Sequence, residues 1–157
     1  MSTGTGARPL GVRPDVPLTD SQLRTLQVLQ DFDLGPVRAR LLKDAAMPSA
    51  WVDEAVLEFR RYLGLRVVHS GPIAMLSKPV DDVWHTCLLF SRLYAQYCQE
   101  AFGHFVHHEP AAGHDPAGDD DSGPRPDREA RWRAFEQAYE GMYGELARLW
   151  RMARPRL

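Results

Sequence analysis

The sequence predicts an all-α fold: a single compact bundle of five or six helices, with a disordered N-terminal tail and a mobile acidic loop. Two observations carry this. Apolar residues recur at steps of three and four through most segments, and capping and stop signals bracket those segments. The strand-like runs Leu65-Arg66-Val67-Val68 and Ile73-Ala74-Met75-Leu76 are only four residues long and read better as buried connections than as a hairpin.

Residues 1–17 are rich in Gly and Pro and poor in large side chains, a composition that predicts a loose tail. Thr19 followed three residues on by Gln22 matches a capping box, and Leu23, Leu26 and Leu29 follow at helical spacing, so the first helix is expected over Asp20 to Asp31. Gly35-Pro36 punctuates the chain, and Pro36 at a first helical position opens a short helix through Val37, Leu41 and Leu42. Ser49 is placed to cap a third helix carrying Trp51, Val52, Val56, Phe59 and Leu63, with Gly64 as its stop. The strongest signal runs from Val80 to Phe102 and is closed by Gly103. A flexible loop over about 109–126 follows, with breakers throughout and the run Asp119-Asp120-Asp121. The last helix is expected from about Pro126 to Ala153, with Trp132, Phe135, Tyr139, Met142, Leu146, Leu149 and Ala153 on one side and Arg interleaved with Glu on the other. Mixed signs of that kind point to a solvated surface. The Val80 to Phe102 helix is expected at the centre, with the last helix packed along it.

At 157 residues and 17.8 kDa the chain supplies one core, expected over 18–157. A net charge of -2 and a pI near 6.3 give no bias toward a polyanion, so nucleic acid is not an expected partner. No run approaches the roughly 18 apolar residues of a membrane span, and the N-terminus has no apolar signal core, so the expectation is a soluble, cytoplasmic protein. Cys87 and Cys98, on one continuous helix, would lie about 16 Å apart, too far for a disulfide, and both fall on the apolar side; they read as reduced core residues.

The residues that could carry chemistry form two groups. Asp81 and Asp82 stand four and three residues before His85, so either carboxylate can meet its imidazole. His104, His107 and His108 follow the helix end, and a helix persisting past Gly103 would align them with Glu100. Imidazoles with a carboxylate suit zinc or ferrous iron, although the spacing matches no established metal signature. A straight helix would separate His85 from Gly103 by about 27 Å, whereas five extended residues return about 17 Å. One centre joining His85 to His107 or His108 therefore requires a taut return strand, a break in the helix, or a second subunit. No phosphate loop, nucleophile elbow or C-x-x-C pair is present.

The segment Lys78-Pro79-Val80-Asp81-Asp82-Val83-Trp84-His85-Thr86, with Tyr94, Tyr97-Cys98, Phe102-Gly103 and His107-His108 behind it, resembles bacterial proteins described as glycine-rich domain-containing protein-like. In that family a Val-Asp-x-x-Trp-His-Thr stretch recurs. The resemblance covers about thirty central residues, with weaker likeness in the C-terminal helix, and implies a shared helical domain with attention on Asp81, Asp82, His85, His107 and His108. The glycine-rich tract that names the related plant proteins is missing here.

Two functions are compatible with these readings. One is a metal-dependent enzyme acting on a small or peptidic substrate, its zinc or iron held by residues among Asp81, Asp82, His85, His104, His107 and His108. The other is a non-catalytic protein–protein interaction module without a cofactor, docking through the Leu89-Leu93 patch or the arginine-bearing helix, with His85 and His107-His108 structural.

Overall fold

A computed structural model describes residues 6–108 and 125–155. Among these the chain is all-α, as the sequence predicts, but with seven α-helices and two single 3-10 turns in place of five or six helices. The additional helices come from breaks in the two longest expected ones.

α1 spans Asp20–Asp31, and its capping box is in place: Thr19 Oγ1 accepts from the Gln22 N–H at 3.1 Å while Gln22 Oε1 accepts from the Thr19 N–H at 2.9 Å. α2, Gly35–Asp44, carries Pro36 in its first turn and ends on Ala45 in the left-handed region, with φ 50°. α3, Val52–Val68, starts behind a 3-10 turn at Ser49–Trp51 and has no side-chain cap, so Ser49 does not act as one. Nor does Gly64 stop this helix. It lies inside it because neighbours press on its Cα: an added Cβ would run into the Tyr143 hydroxyl and meet Leu26 Cδ2 at 3.1 Å and Leu10 Cδ1 at 3.3 Å. Gly64→Ala gains helix propensity, but its overpacking costs more. A net loss of about 1–2 kcal/mol is expected, read as a lower urea midpoint; an unchanged midpoint would show that these neighbours yield freely.

The Leu65 to Val68 run belongs to α3 and is not a connection. Ile73 to Leu76 is one: it is half-buried, and the Ile73 carbonyl accepts from Tyr62 Oη at 2.6 Å. The N-terminal segment also departs from expectation. Leu10 and Val12 are buried, the Leu10 N–H donates to Gln30 Oε1 and its carbonyl accepts from Arg61 Nε, and the Arg13 N–H donates to the Met142 carbonyl. Two large apolar side chains anchor a stretch whose average composition reads as a tail. Residues 1–5 of that tail and most of the expected acidic loop, 109–124, lie outside the described residues.

The expected Val80 to Phe102 helix is two helices, α4 (Lys78–Leu89) and α5 (Ser91–Phe102), jointed at Phe90, whose φ and ψ of -93° and 63° are not helical. The last long helix divides likewise into α6 (Arg125–Tyr143) and α7 (Arg148–Arg151), with Gly144 at φ 95° between them. Trp132, Phe135, Tyr139, Met142, Leu146 and Leu149 are buried as expected. α3 is the central helix: it packs on α1, α2 and α4, and it also receives α6. Tyr139 donates to Glu58, Tyr143 Oη donates to the Arg61 carbonyl at 2.7 Å, and Trp150 stacks on Tyr62 with ring centroids 6.3 Å apart. The arginines of α6 and α7 form ion pairs over the surface, Arg133 with Glu129, Arg148 with Glu54 and Arg154 with Glu136, in keeping with a solvated face. Among the described residues no helix is long and apolar enough to cross a membrane.

Candidate metal centre

The break at Phe90 sets the geometry of the site. α5 folds back against α4, Gly103 ends α5 in the left-handed region at φ 75°, and residues 104–108 return without helical structure toward α4. Alternation along this return turns Val106 inward to the core and leaves Phe105 and His107 exposed, while the His108 side chain is only 14% exposed.

His108 and His85 meet on the same carboxylate. His108 Nε2 lies 2.7 Å from Asp81 Oδ1, and His85 Nε2 lies 3.4 Å from Asp81 Oδ2. The three rings form a stack, with Trp84 on His108 at 4.1 Å and 11°, and His108 on His85 at 4.8 Å and 19°. One potential ligand atom from each of Asp81, His85 and His108 lies within 4.8 Å of the others. Two nitrogens on one zinc at 2.0–2.1 Å can stand at most about 4.2 Å apart, so an ion held by all three would draw the set inward slightly. His85, 57% exposed, is the member free to turn. His108 Nδ1 is buried without a hydrogen-bond partner among the described residues. A ligating His108 would therefore lack the outer acceptor that usually fixes the tautomer of a metal-bound imidazole.

The other expected ligands do not join this cluster. Asp82, about 100° around the helix from Asp81, pairs with Lys78 Nζ at 3.1 Å. His104 rests on Phe102 and His107 on Phe105, both exposed. Their predicted alignment assumed helix beyond Gly103, and the chain there is not helical. Of the expected Leu89-Leu93 patch, Leu89 is 69% exposed, whereas Leu93 is partly buried and packs against the core. Cys87 and Cys98 are free and buried, and burial pushes the Cys87 thiol up to about 12, which removes it as a nucleophile at neutral pH.

Sequence spacing did not single out Trp84 as the ring beneath His108, although its place beside His85 in the Trp-His-Thr stretch marked it. Two comparisons with known proteins are without result: no curated protein and no solved structure matches the chain. The third is positive. The model of the UCP032817-like family matches residues 24–134, more than two thirds of the sequence, and this span takes in Asp81, Trp84, His85, the break at Phe90 and His108. The chain belongs to the UCP032817-like family.

Proposed function

We propose that the protein is a divalent-metal-binding domain whose ligands are Asp81, His85 and His108, with zinc or ferrous iron as the ion. The observation that carries this is the convergence of two imidazoles and one carboxylate from α4 and the return segment on one point. Two histidines and a carboxylate with further positions open to water is a donor set found in catalytic zinc and non-haem iron centres. When bound, such an ion polarises a water or a substrate oxygen. The half-exposed His85 leaves one side of the centre accessible. On this reading the protein is a metal-dependent enzyme of the bacterial cytoplasm acting on a small or peptidic substrate. The likeness to the glycine-rich domain-containing protein-like family fits the same reading, since the Val80 to Thr86 stretch that carries it supplies two of the three ligands.

A second reading rests on the 2.7 Å contact between Asp81 and His108: without any ion, the carboxylate orders both imidazoles and ties the return segment to α4. The domain is then a scaffold for a protein partner, and Leu89 is the most exposed large apolar side chain among the described residues. Calorimetric titration with zinc separates the two. One ion per chain is expected, with affinity lowered by more than about 100-fold in His108→Ala and unchanged in the double substitution of His104 and His107 by Ala. Absence of uptake by the unsubstituted protein, or loss in the double variant, would remove the three-ligand centre.

A further inference from the structure

We infer that Tyr94 is a positioning residue for the candidate centre, setting its metal affinity by fixing His108 through the Val106 carbonyl and the Trp84 ring. The inference rests on the metal-binding reading above. Tyr94, on α5, is fully buried and touches neither Asp81 nor the imidazoles in any described hydrogen bond. Its hydroxyl nonetheless joins the two elements that supply the ligands. It accepts from Trp84 Nε1 at 2.9 Å and donates to the Val106 carbonyl at 2.6 Å. Trp84 precedes His85 on α4 and stacks on His108; Val106 stands two residues before His108.

The return segment needs such a hold. Among the described residues, 104–108 make no main-chain to main-chain hydrogen bond, so neither helix nor sheet fixes their path. Apart from the contacts of His108 itself with Asp81 and with the rings of Trp84 and His85, what fixes it is the buried Val106 side chain, the hydroxyl of Tyr94 on the Val106 carbonyl, and the edge contact of Phe105 on the Tyr94 ring at 5.1 Å. Two of these three contacts belong to Tyr94. Burial raises the Tyr94 phenol well above its ordinary value, so it keeps its proton and remains a donor to Val106 at any pH where the protein is studied. His85 depends on none of this, since α4 carries it directly. The two imidazoles are therefore held by different means, and only one of them is sensitive to Tyr94.

This difference supplies the test. Tyr94→Phe keeps the ring and removes the hydroxyl. Titrated with zinc, it is expected to bind one ion per chain with affinity about 10- to 100-fold lower than the unsubstituted protein, the range seen when an outer partner of a metal ligand is removed. In a His108→Ala background the same substitution should change the residual affinity less than about 2-fold, whereas in a His85→Ala background the full loss should persist. A role in general stability would weaken binding equally in both backgrounds, and that result would overturn the inference. So would equal affinity of Tyr94→Phe and the unsubstituted protein. If the unsubstituted protein takes up no zinc, the metal reading itself is what fails, and the inference falls with it. Should Tyr94→Phe not fold, Trp84→Phe replaces it: the Tyr94 to Val106 bond stays, the indole partner is lost, and a several-fold loss confined to backgrounds that retain His108 is expected.

Discussion

Asp81→Asn is expected to abolish metal uptake while leaving the helices intact. The carboxylate is the only anionic group in the cluster, and each of its oxygens faces a different imidazole. An amide of the same shape keeps one acceptor and loses the charge that draws a divalent ion out of water. Since an outer partner of a ligand is worth about 10- to 100-fold in affinity, removal of a ligand itself should exceed about 100-fold. Stability gives a second readout. An ion at a hundred times its dissociation constant stabilises the folded state by about 2.7 kcal/mol, roughly a 5–10 °C rise in midpoint for a domain of this size. That rise should be present in the unsubstituted protein and missing in Asp81→Asn. A variant that still shifts on adding zinc would place the ion elsewhere, and one that unfolds without any ion would favour the clasp, in which Asp81 orders His85 and His108 alone.

The sequence made the first half of the site legible and hid the second, for reasons that lie in particular residues. Asp81 and His85 stand one helical turn apart on a stretch with strong helix signals, and the structure places both on α4. His108 could be connected to them only through the break at Phe90, where no Gly or Pro announces a joint and the apolar spacing continues from Val83 and Cys87 to Tyr94 and Cys98. Periodicity reports which side of a segment is apolar, and both helices bury theirs in the same core, so the pattern survives the bend. Of the three ways of joining His85 to His108, the helix break is the one realised. His107 was indistinguishable from His108 for a related reason: the choice between them depends on the parity of a non-helical strand of chain, and the apolar Phe105 and Val106 gave no reason to prefer one as the inward residue.

The same contrast holds for the fold. The first helix was readable to the residue because its signals, Thr19 and Gln22, act over three positions. The role of Gly64 was not, because the groups that require a glycine there, Tyr143 and Leu10, come from opposite ends of the chain. The centrality of α3 was likewise concealed in Glu58, which sequence reading passes over as one more surface carboxylate. It is 1% exposed, and α6, α7 and Arg61 converge on it.

Replacing Glu58 should therefore produce one of the larger stability changes in the molecule, and the choice of substituent decides its sign. The carboxylate accepts from Tyr139 Oη, from Trp150 Nε1 at 3.2 Å and from Arg61 Nη1 at 3.3 Å, while Arg61 in turn donates to the Leu10 carbonyl at 2.9 Å. Glu58→Ala leaves a buried hydroxyl, an indole N–H and a largely buried guanidinium without their acceptor, at a cost of about 3–4 kcal/mol. Glu58→Gln keeps an acceptor for Tyr139 and Trp150 and removes the buried charge. Burial raises the Glu58 carboxyl above its ordinary 4.5, outweighing the lowering by Tyr139, Arg61 and Trp150, so folding favours the protonated acid. The contribution of that preference is present in full at low pH and is lost as pH rises from about 4.5 through the raised folded value, where the native state must carry a buried anion. Glutamine does not titrate. Urea unfolding of both proteins across this window should show Glu58→Gln gaining stability relative to the unsubstituted chain as pH increases, then holding a constant difference. A difference that is flat throughout would mean that Arg61 and Tyr139 just offset the cost of burying the anion, and one that runs the other way that they stabilise it by more than its burial costs.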